Sequence, residues 1–76
     1  MTISISAQRI SGAQIKDGRE LLGWTQQKLA EMANLSRETV RRIERGDART
    51  SGSIEKAAHV LRSSGIKFAQ EGGVGA

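Results

Sequence analysis

The chain has 76 residues, with 12 Lys and Arg against 8 Asp and Glu, and its formal net charge is +4 with a pI of about 10.4. A single domain of this length buries only about 60% of its unfolded surface, so we expect its core to need regular helix packing or a second subunit. The basic balance favours nucleic acid or another anionic partner, whereas the lack of cysteine and the single His59 argue against disulfides and against a metal site.

The composition also argues against a membrane protein and an enzyme. No apolar run approaches the roughly 18 residues of a membrane span, and the N-terminus lacks the features of a signal peptide. The acidic residues are scattered without a His or Cys partner, and no Gly-rich phosphate loop follows a strand. We therefore expect a cytoplasmic, non-enzymatic protein that has no cofactor, no metal and no membrane contact.

The first segment, residues 1–9, is predicted to be an N-terminal arm. Its TISIS stretch alternates polar and β-branched residues, which places Ile3 and Ile5 on one face and predicts a short strand. A frayed terminus is the alternative. The domain proper is expected to span residues 10–65.

Three successive helices begin with the same signal, a Ser or Thr N-cap flanked by apolar residues at hydrophobic-staple spacing. The predicted caps are Ser11, Thr25 and Ser36, and the predicted stops are Gly23, Asn34 and Gly46. The expected buried positions of the second and third helices are Leu29, Ala30, Ala33, Val40 and Ile43. Gly18, inside the first helix, either allows the close approach of another helix or is simply tolerated.

A fourth helix is predicted after a flexible polar loop at residues 47–52. Ser53 is its expected cap, and its inward stripe is formed by Ile54, Ala57, Ala58 and Leu61. Residues 66–76 are predicted to hold a short strand at Ile66-Lys67-Phe68 and a disordered Gly-rich tail.

The second and third helices, within residues 25–46, are separated by a turn so short that it must hold them at a fixed angle. The third helix carries Arg37, Arg41, Arg42 and Arg45. A basic helix presented rigidly by its partner suits the major groove of DNA, which is wide enough to admit one helix.

These residues resemble a known family. Gln26-Gln27-x-Leu29-Ala30, the turn after Ala33, Leu35-Ser36, Val40, Ile43-Glu44 and Gly46 are similar to the Cro/C1-type (XRE) helix-turn-helix repressors, over roughly residues 10–62. The resemblance implies an all-α, compact four-helix, lambda-repressor-like DNA-binding domain with short β-prone N- and C-terminal segments. The chain departs from the family in having Asn34 where Gly is usual, and in lacking the fifth helix with which many members dimerise.

By this resemblance, the exposed start of the third helix reads bases. The candidates are Arg37, Glu38, Arg41 and Arg42. An arginine fork suits guanine O6 and N7, and a glutamate accepts from the cytosine amino group. The alternative is a solvated face whose Arg and Glu residues pair at helical spacing.

The predicted phosphate-binding residues are Gln26, Gln27, Ser36, Thr39, Arg45 and Arg49. Gln26 lies at the start of a helix, where free N–H groups favour an anion, and in the family this Gln contacts the DNA backbone. The alternative is a neutral polar residue of the first turn. Contacts of this kind position the protein on DNA without reading its sequence.

The resemblance further implies a structural ion pair between Arg19 and Glu44, for which two surface charges are the alternative. At the termini, Ile3, Ile5, Ile66 and Phe68 are candidates for a dimer contact, with a small extension of the core as the alternative.

Together these features predict a homodimeric repressor that binds a palindromic operator on double-stranded DNA. One alternative is an antitoxin-type autoregulator that also binds a partner protein through its termini. Another is a protein-interaction module that uses the scaffold without DNA.

Overall fold

The computed structural model describes residues 10–69 and 73–76, which form four α-helices, a 3₁₀ helix and a two-stranded sheet. The elements are α1 Gly12–Leu21, α2 Gln26–Ala33, α3 Arg37–Arg45, the 3₁₀ helix Ala48–Thr50, α4 Ser51–Ser63, β1 Lys67–Phe68 and β2 Val74–Gly75. The all-α prediction is confirmed. The predicted strand with Ile3 and Ile5 lies outside the described residues. In the described part of the chain, no helix is long and apolar enough to cross a membrane.

The three predicted N-caps are present. Ser11 Oγ accepts from the Gln14 backbone N–H at 3.1 Å while Gln14 Oε1 accepts from the Ser11 N–H at 2.9 Å, so the capping box is complete. Thr25 Oγ1 accepts from the backbone of Lys28 at 3.0 Å, and Ser36 Oγ accepts from the backbone of Thr39 at 3.0 Å. Each cap satisfies one of the free donors of a helix start, which is worth about 1 kcal/mol.

The turn between α2 and α3 consists of three residues and is fixed by Asn34. Its φ of 57° is left-handed, a conformation that Asn tolerates better than most residues. The Leu35 backbone N–H donates to the Ala30 carbonyl at 2.9 Å and closes the end of α2. The departure from Gly at this position therefore leaves the tight turn intact.

The start of α4 differs from the prediction. The helix begins at Ser51 with Thr50 as its N-cap residue and without a side-chain cap, so Ser53 does not cap it. The reason is Asp47, whose backbone carbonyl accepts from the Thr50 hydroxyl at 2.6 Å and whose Oδ1 accepts from the Arg49 backbone at 2.9 Å. These bonds wind half of the expected loop into the 3₁₀ helix, which leads directly into α4.

The four helices share one core. Its buried hydrophobic residues are Ile10, Ile15, Leu29, Ala30, Ala33, Val40, Ile43, Ala57, Ala58, Leu61 and Ile66. Ile54, predicted to point inward, is only partly buried against this core. Each helix thus buries one stripe, as amphipathic helices of a small domain must.

Two glycines of α1 let neighbouring elements approach closely. A Cβ on Gly12 would overlap the backbone carbonyl of Ile43, so the start of α1 rests directly on the end of α3. A Cβ on Gly18 would lie 3.1 Å from Ile66 Cγ2 and 3.3 Å from Leu61 Cδ1. Gly18 therefore makes room for the segment that follows α4.

The C-terminal segment folds back on α1. In the antiparallel pair of β1 and β2, Lys67 lies opposite Gly75 and Phe68 lies opposite Val74, so the prediction of a disordered tail is wrong for residues 73–76. Gln14 Nε2 donates to the carbonyls of Ala69 at 2.9 Å and Gly73 at 3.3 Å, which ties the hairpin to the first helix.

Ile66 does not belong to an exposed dimer contact. It is 2% exposed in the single chain because the missing side chain of Gly18 leaves space for it. The alternative of a small core extension is therefore the correct one for Ile66. Phe68 is half-buried, and the Arg62 guanidinium carbon lies over its ring, 5.5 Å from the ring centre.

Candidate nucleic-acid interface

The outer face of α3 is the most basic surface element of the described chain. Val40 and Ile43 turn inward and are fully buried. The remaining side chains include the exposed residues Arg37, Glu38, Arg41, Arg42 and Arg45. Because Val40 and Ile43 anchor the helix, the charged residues are presented to solvent on a rigid base.

Glu38 joins two of these arginines. Its Oε1 accepts from Arg41 Nη1 at 2.7 Å, and its Oε2 lies 3.3 Å from Arg42 Nε. Within residues 10–69 and 73–76, neither Arg37 nor Arg45 has an ion-pair partner. Pairing at helical spacing thus involves three of the four predicted base-reading residues, Glu38, Arg41 and Arg42, and the contacts of all four with bases stay a prediction.

The start of α2 presents backbone donors. Gln26 Nε2 donates to Glu44 Oε1 at 3.0 Å, and Gln27 Nε2 donates to Glu31 Oε2 at 3.1 Å, so both side-chain amides already have partners. The backbone N–H groups of these two residues belong to the first turn, where a helix has no internal acceptor. A phosphate at this end would be held mainly by those N–H groups and by the helix dipole.

The other predicted phosphate-binding residues are spread along α3 and beyond it. Ser36 Oγ and Thr39 Oγ1 lie 2.8 Å apart at the start of α3, and Arg45 is exposed at its end. Arg49 is 85% exposed in its side chain and donates from Nε and Nη2 to the Asp47 carboxylate at 3.2 and 3.1 Å. A phosphate at Arg49 would have to compete with Asp47.

Arg19 and Glu44 form the predicted ion pair. Arg19 Nε donates to Glu44 Oε2 at 2.7 Å and Nη2 donates to Oε1 at 3.1 Å, while Nη1 donates to the Trp24 carbonyl at 2.7 Å. The side chains are only 11% and 5% exposed. The hydrogen bond with Glu44 raises the pKa of Arg19 above its ordinary value, so this arginine stays charged at every accessible pH.

This pair joins three helices at the base of the candidate interface. Glu44 belongs to α3, and its carboxylate takes one partner from α1 and another, Gln26, from α2. The orientation of α3 is therefore fixed by polar contacts as well as by the apolar core. Sequence analysis missed the contact of Gln26 with Glu44, since only the spacing within a folded motif brings these two residues together.

The contact of Asp47 with Arg49 should make the stability of the protein depend on pH in the acidic range. Its hydrogen bonds with the Arg49 side chain and backbone lower its pKa from 3.8 to about 2. Because the pKa of Asp47 is lower in the folded protein, its contact with Arg49 contributes to stability above about pH 4. This stabilisation is lost as the pH falls to about 2. The urea midpoint of an Asp47→Asn variant should therefore fall less between about pH 5 and pH 2 than that of the unmodified protein.

Asp17→Asn, at an exposed position of α1, controls for the loss of one carboxylate. If Asp47→Asn and the unmodified protein lose stability in parallel over this range, the Asp47–Arg49 contact contributes nothing in solution.

Comparison with protein-family models matches residues 15–64 to a helix-turn-helix family of the Cro/C1 (XRE) type. The match begins within α1 and ends just after α4, so it includes most of α1, all of α2, α3 and α4, and the whole of the candidate interface. Comparison with curated proteins gives no match.

Proposed function

The chain belongs to the Cro/C1-type helix-turn-helix family of DNA-binding transcription regulators, and from that premise we propose that it is a cytoplasmic repressor. It binds a palindromic operator as a homodimer, with α3 of each copy in the major groove. The carrying observation is the outward row of arginines on a helix that Asn34 and Glu44 hold in place.

The proposed roles follow the geometry of the interface. Arg37 and Arg41 lie in the first half of α3 and would reach base edges, since the N-terminal part of a recognition helix usually enters the groove. The backbone N–H groups at the start of α2 would take a phosphate on one side, and Arg45 would take one at the far end of α3. Phosphate contacts on both sides of the helix would fix its register.

The proposed homodimer would place one recognition helix in each half of the operator. The recognition helices of a dimer bind half-sites about 34 Å apart, one turn of DNA. One copy measures 38 × 27 × 18 Å, a size that lets two copies lie side by side at such a spacing. Ile3, Ile5 and Phe68 stay proposed dimer contacts, and sedimentation of the free protein and of its operator complex would test the dimer.

Repression would come from occupancy of the operator. A dimer of this size on a promoter would block polymerase, and its own operon is the simplest target.

The sharpest test is a DNA-binding titration over a range of salt concentrations with fragments from around the gene. We expect one palindromic fragment to bind tightly, and Arg37→Ala or Arg41→Ala to weaken that binding by about 1–3 kcal/mol, roughly fivefold to 150-fold. Lys56→Ala is the matched control because it removes one exposed positive charge from α4, outside the interface.

Two results would contradict the proposal. One is weak binding of equal strength to every fragment, indifferent to both arginine substitutions. The other is a loss for Lys56→Ala as large as for Arg41→Ala, since net charge alone would then account for binding.

An antitoxin-type autoregulator stays the second candidate, and one observation favours it. A groove between α1 and the C-terminal hairpin is lined by Asp17, Glu20, Leu21, Gly73 and Val74, and Leu21 is 55% exposed. A protein partner at the C-terminal segment would find apolar contact there. A toxin-like reading frame beside the gene, whose product co-purifies with the chain unless Leu21 is replaced by Asp, would support this candidate.

A further inference from the structure

We propose that Glu38 determines specificity by holding Arg41 and Arg42 in the free protein, so that DNA of the wrong sequence cannot engage both arginines without breaking these contacts. The inference rests on the proposed DNA-binding role of α3. It adds to Glu38 a function beyond accepting a hydrogen bond from a base, namely control of the two neighbouring arginines.

Glu38, Arg41 and Arg42 form one charged cluster on the exposed face of α3. Each carboxylate oxygen of Glu38 takes one arginine, with Oε1 2.7 Å from Arg41 Nη1 and Oε2 3.3 Å from Arg42 Nε. The Arg41 Nη1 and Arg42 Nε groups are among the donors that would otherwise point toward phosphates or guanine edges. One carboxylate therefore occupies part of the donor set of two arginines at once.

The contacts are weak enough to act reversibly. All three side chains are about half exposed, at 47% for Glu38, 52% for Arg41 and 50% for Arg42. Ion pairs with this exposure contribute little to stability, because solvent screens them and because long side chains lose entropy in forming them. The cluster can thus open on DNA without cost to the fold, in contrast to the buried pair of Arg19 and Glu44.

Operator DNA and DNA of other sequence would affect Glu38 differently. At the operator, a base amino group can replace the arginines as the donor to the carboxylate, which frees Arg41 and Arg42 to bind. On other DNA, no base amino group replaces the arginines, so Arg41 and Arg42 can bind phosphates only at the cost of their contacts with Glu38. Glu38 would then lower non-specific affinity more than operator affinity, and the ratio of operator affinity to non-specific affinity would rise.

The test compares Glu38→Gln with the unmodified protein on the operator and on a shuffled fragment. Gln keeps the size of the side chain and removes the charge that holds the arginines. We expect non-specific affinity at low salt to rise about threefold to tenfold and the salt dependence to steepen by about one released counterion. We expect the ratio of operator to shuffled affinity to fall by at least the same factor.

Glu55→Gln is the matched control, since it removes an exposed glutamate from α4. A second comparison places Glu38→Gln in a background with Arg41→Ala and Arg42→Ala, where the gain in non-specific affinity should shrink to that of Glu55→Gln. An undiminished gain in this background would overturn the inference, because Glu38 would then act on DNA directly rather than through the two arginines.

The outcomes also separate this inference from the proposed function. If the unmodified protein shows no preference for any fragment, the proposed function itself is wrong. If it prefers the operator and Glu38→Gln binds the shuffled fragment no more tightly than Glu55→Gln does, only the inference about Glu38 is overturned.

Discussion

Replacing Arg19 with Met is expected to lower the free energy of unfolding by about 3–5 kcal/mol. The substitution keeps an unbranched apolar stem and leaves the Glu44 carboxylate, 5% exposed, with Gln26 as its remaining side-chain donor. A buried charge that has lost its partner must be dehydrated without compensation. Since small domains are stable by only about 5–15 kcal/mol, the variant should be close to unfolding, which urea denaturation followed by circular dichroism would measure.

Two further variants distinguish a buried pair from a general loss of charge. Arg42→Met removes the exposed contact with Glu38 and should cost at most about 1 kcal/mol. The double replacement Arg19→Met with Glu44→Leu removes both buried charges and should be more stable than Arg19→Met alone. A loss below about 1 kcal/mol for Arg19→Met would mean that the pair behaves as a surface pair.

Replacing Gly12 with Ala should have the second largest effect, a loss of about 3 kcal/mol. Helix propensity favours Ala over Gly by about 1 kcal/mol, so propensity alone predicts the opposite sign. The added Cβ would overlap the Ile43 carbonyl, which is backbone and cannot rotate away. The start of α1 would have to lift from the end of α3, with damage to the contact between Arg19 and Glu44.

Gly52→Ala provides the matched comparison for this prediction. Gly52 lies in α4 and has open space where its Cβ would be. There the change should stabilise the protein by up to about 1 kcal/mol. If thermal denaturation shows equal shifts for the two variants, the close approach of α1 and α3 is not tight in solution.

Features of the fold that depend on neighbouring residues could be predicted from the sequence. The caps Ser11, Thr25 and Ser36 and the stops Asn34 and Gly46 act within one turn of a helix, so their residue types are sufficient to place them. The predicted start of α4 was wrong, although the contact that sets it is equally local. Asp47 organises the preceding turn through its backbone carbonyl, and a carbonyl leaves no trace in the sequence.

Features that depend on distant residues could not be predicted. The burial of Ile66 requires the missing side chain of Gly18, which is far from it along the chain. The C-terminal hairpin is held by Gln14, whose amide serves the capping box and two distant carbonyls at once. Such contacts become visible only when the packing of the helices is known.

The ion pair beneath the candidate interface could be predicted because the family resemblance supplied its spacing. The contact between Arg19 and Glu44 came from that resemblance and is present in the structure. The contacts of Glu38 with Arg41 and Arg42, which are the alternative to base reading, are present in the structure, whereas base reading stays a proposal.

The division of α3 into two faces also has an evolutionary meaning. Val40, Ile43 and Glu44 tie the helix to the rest of the domain, whereas the other charged side chains contribute little to folding. Mutations at those exposed positions can therefore accumulate, and alter contacts with DNA, without the chain passing through unfolded intermediates. The turn at Asn34 offers no such freedom, since one inserted residue would lengthen the three-residue link that sets the angle between α2 and α3. Descendants of this protein should diverge in DNA target by exchanging side chains on an unchanged backbone.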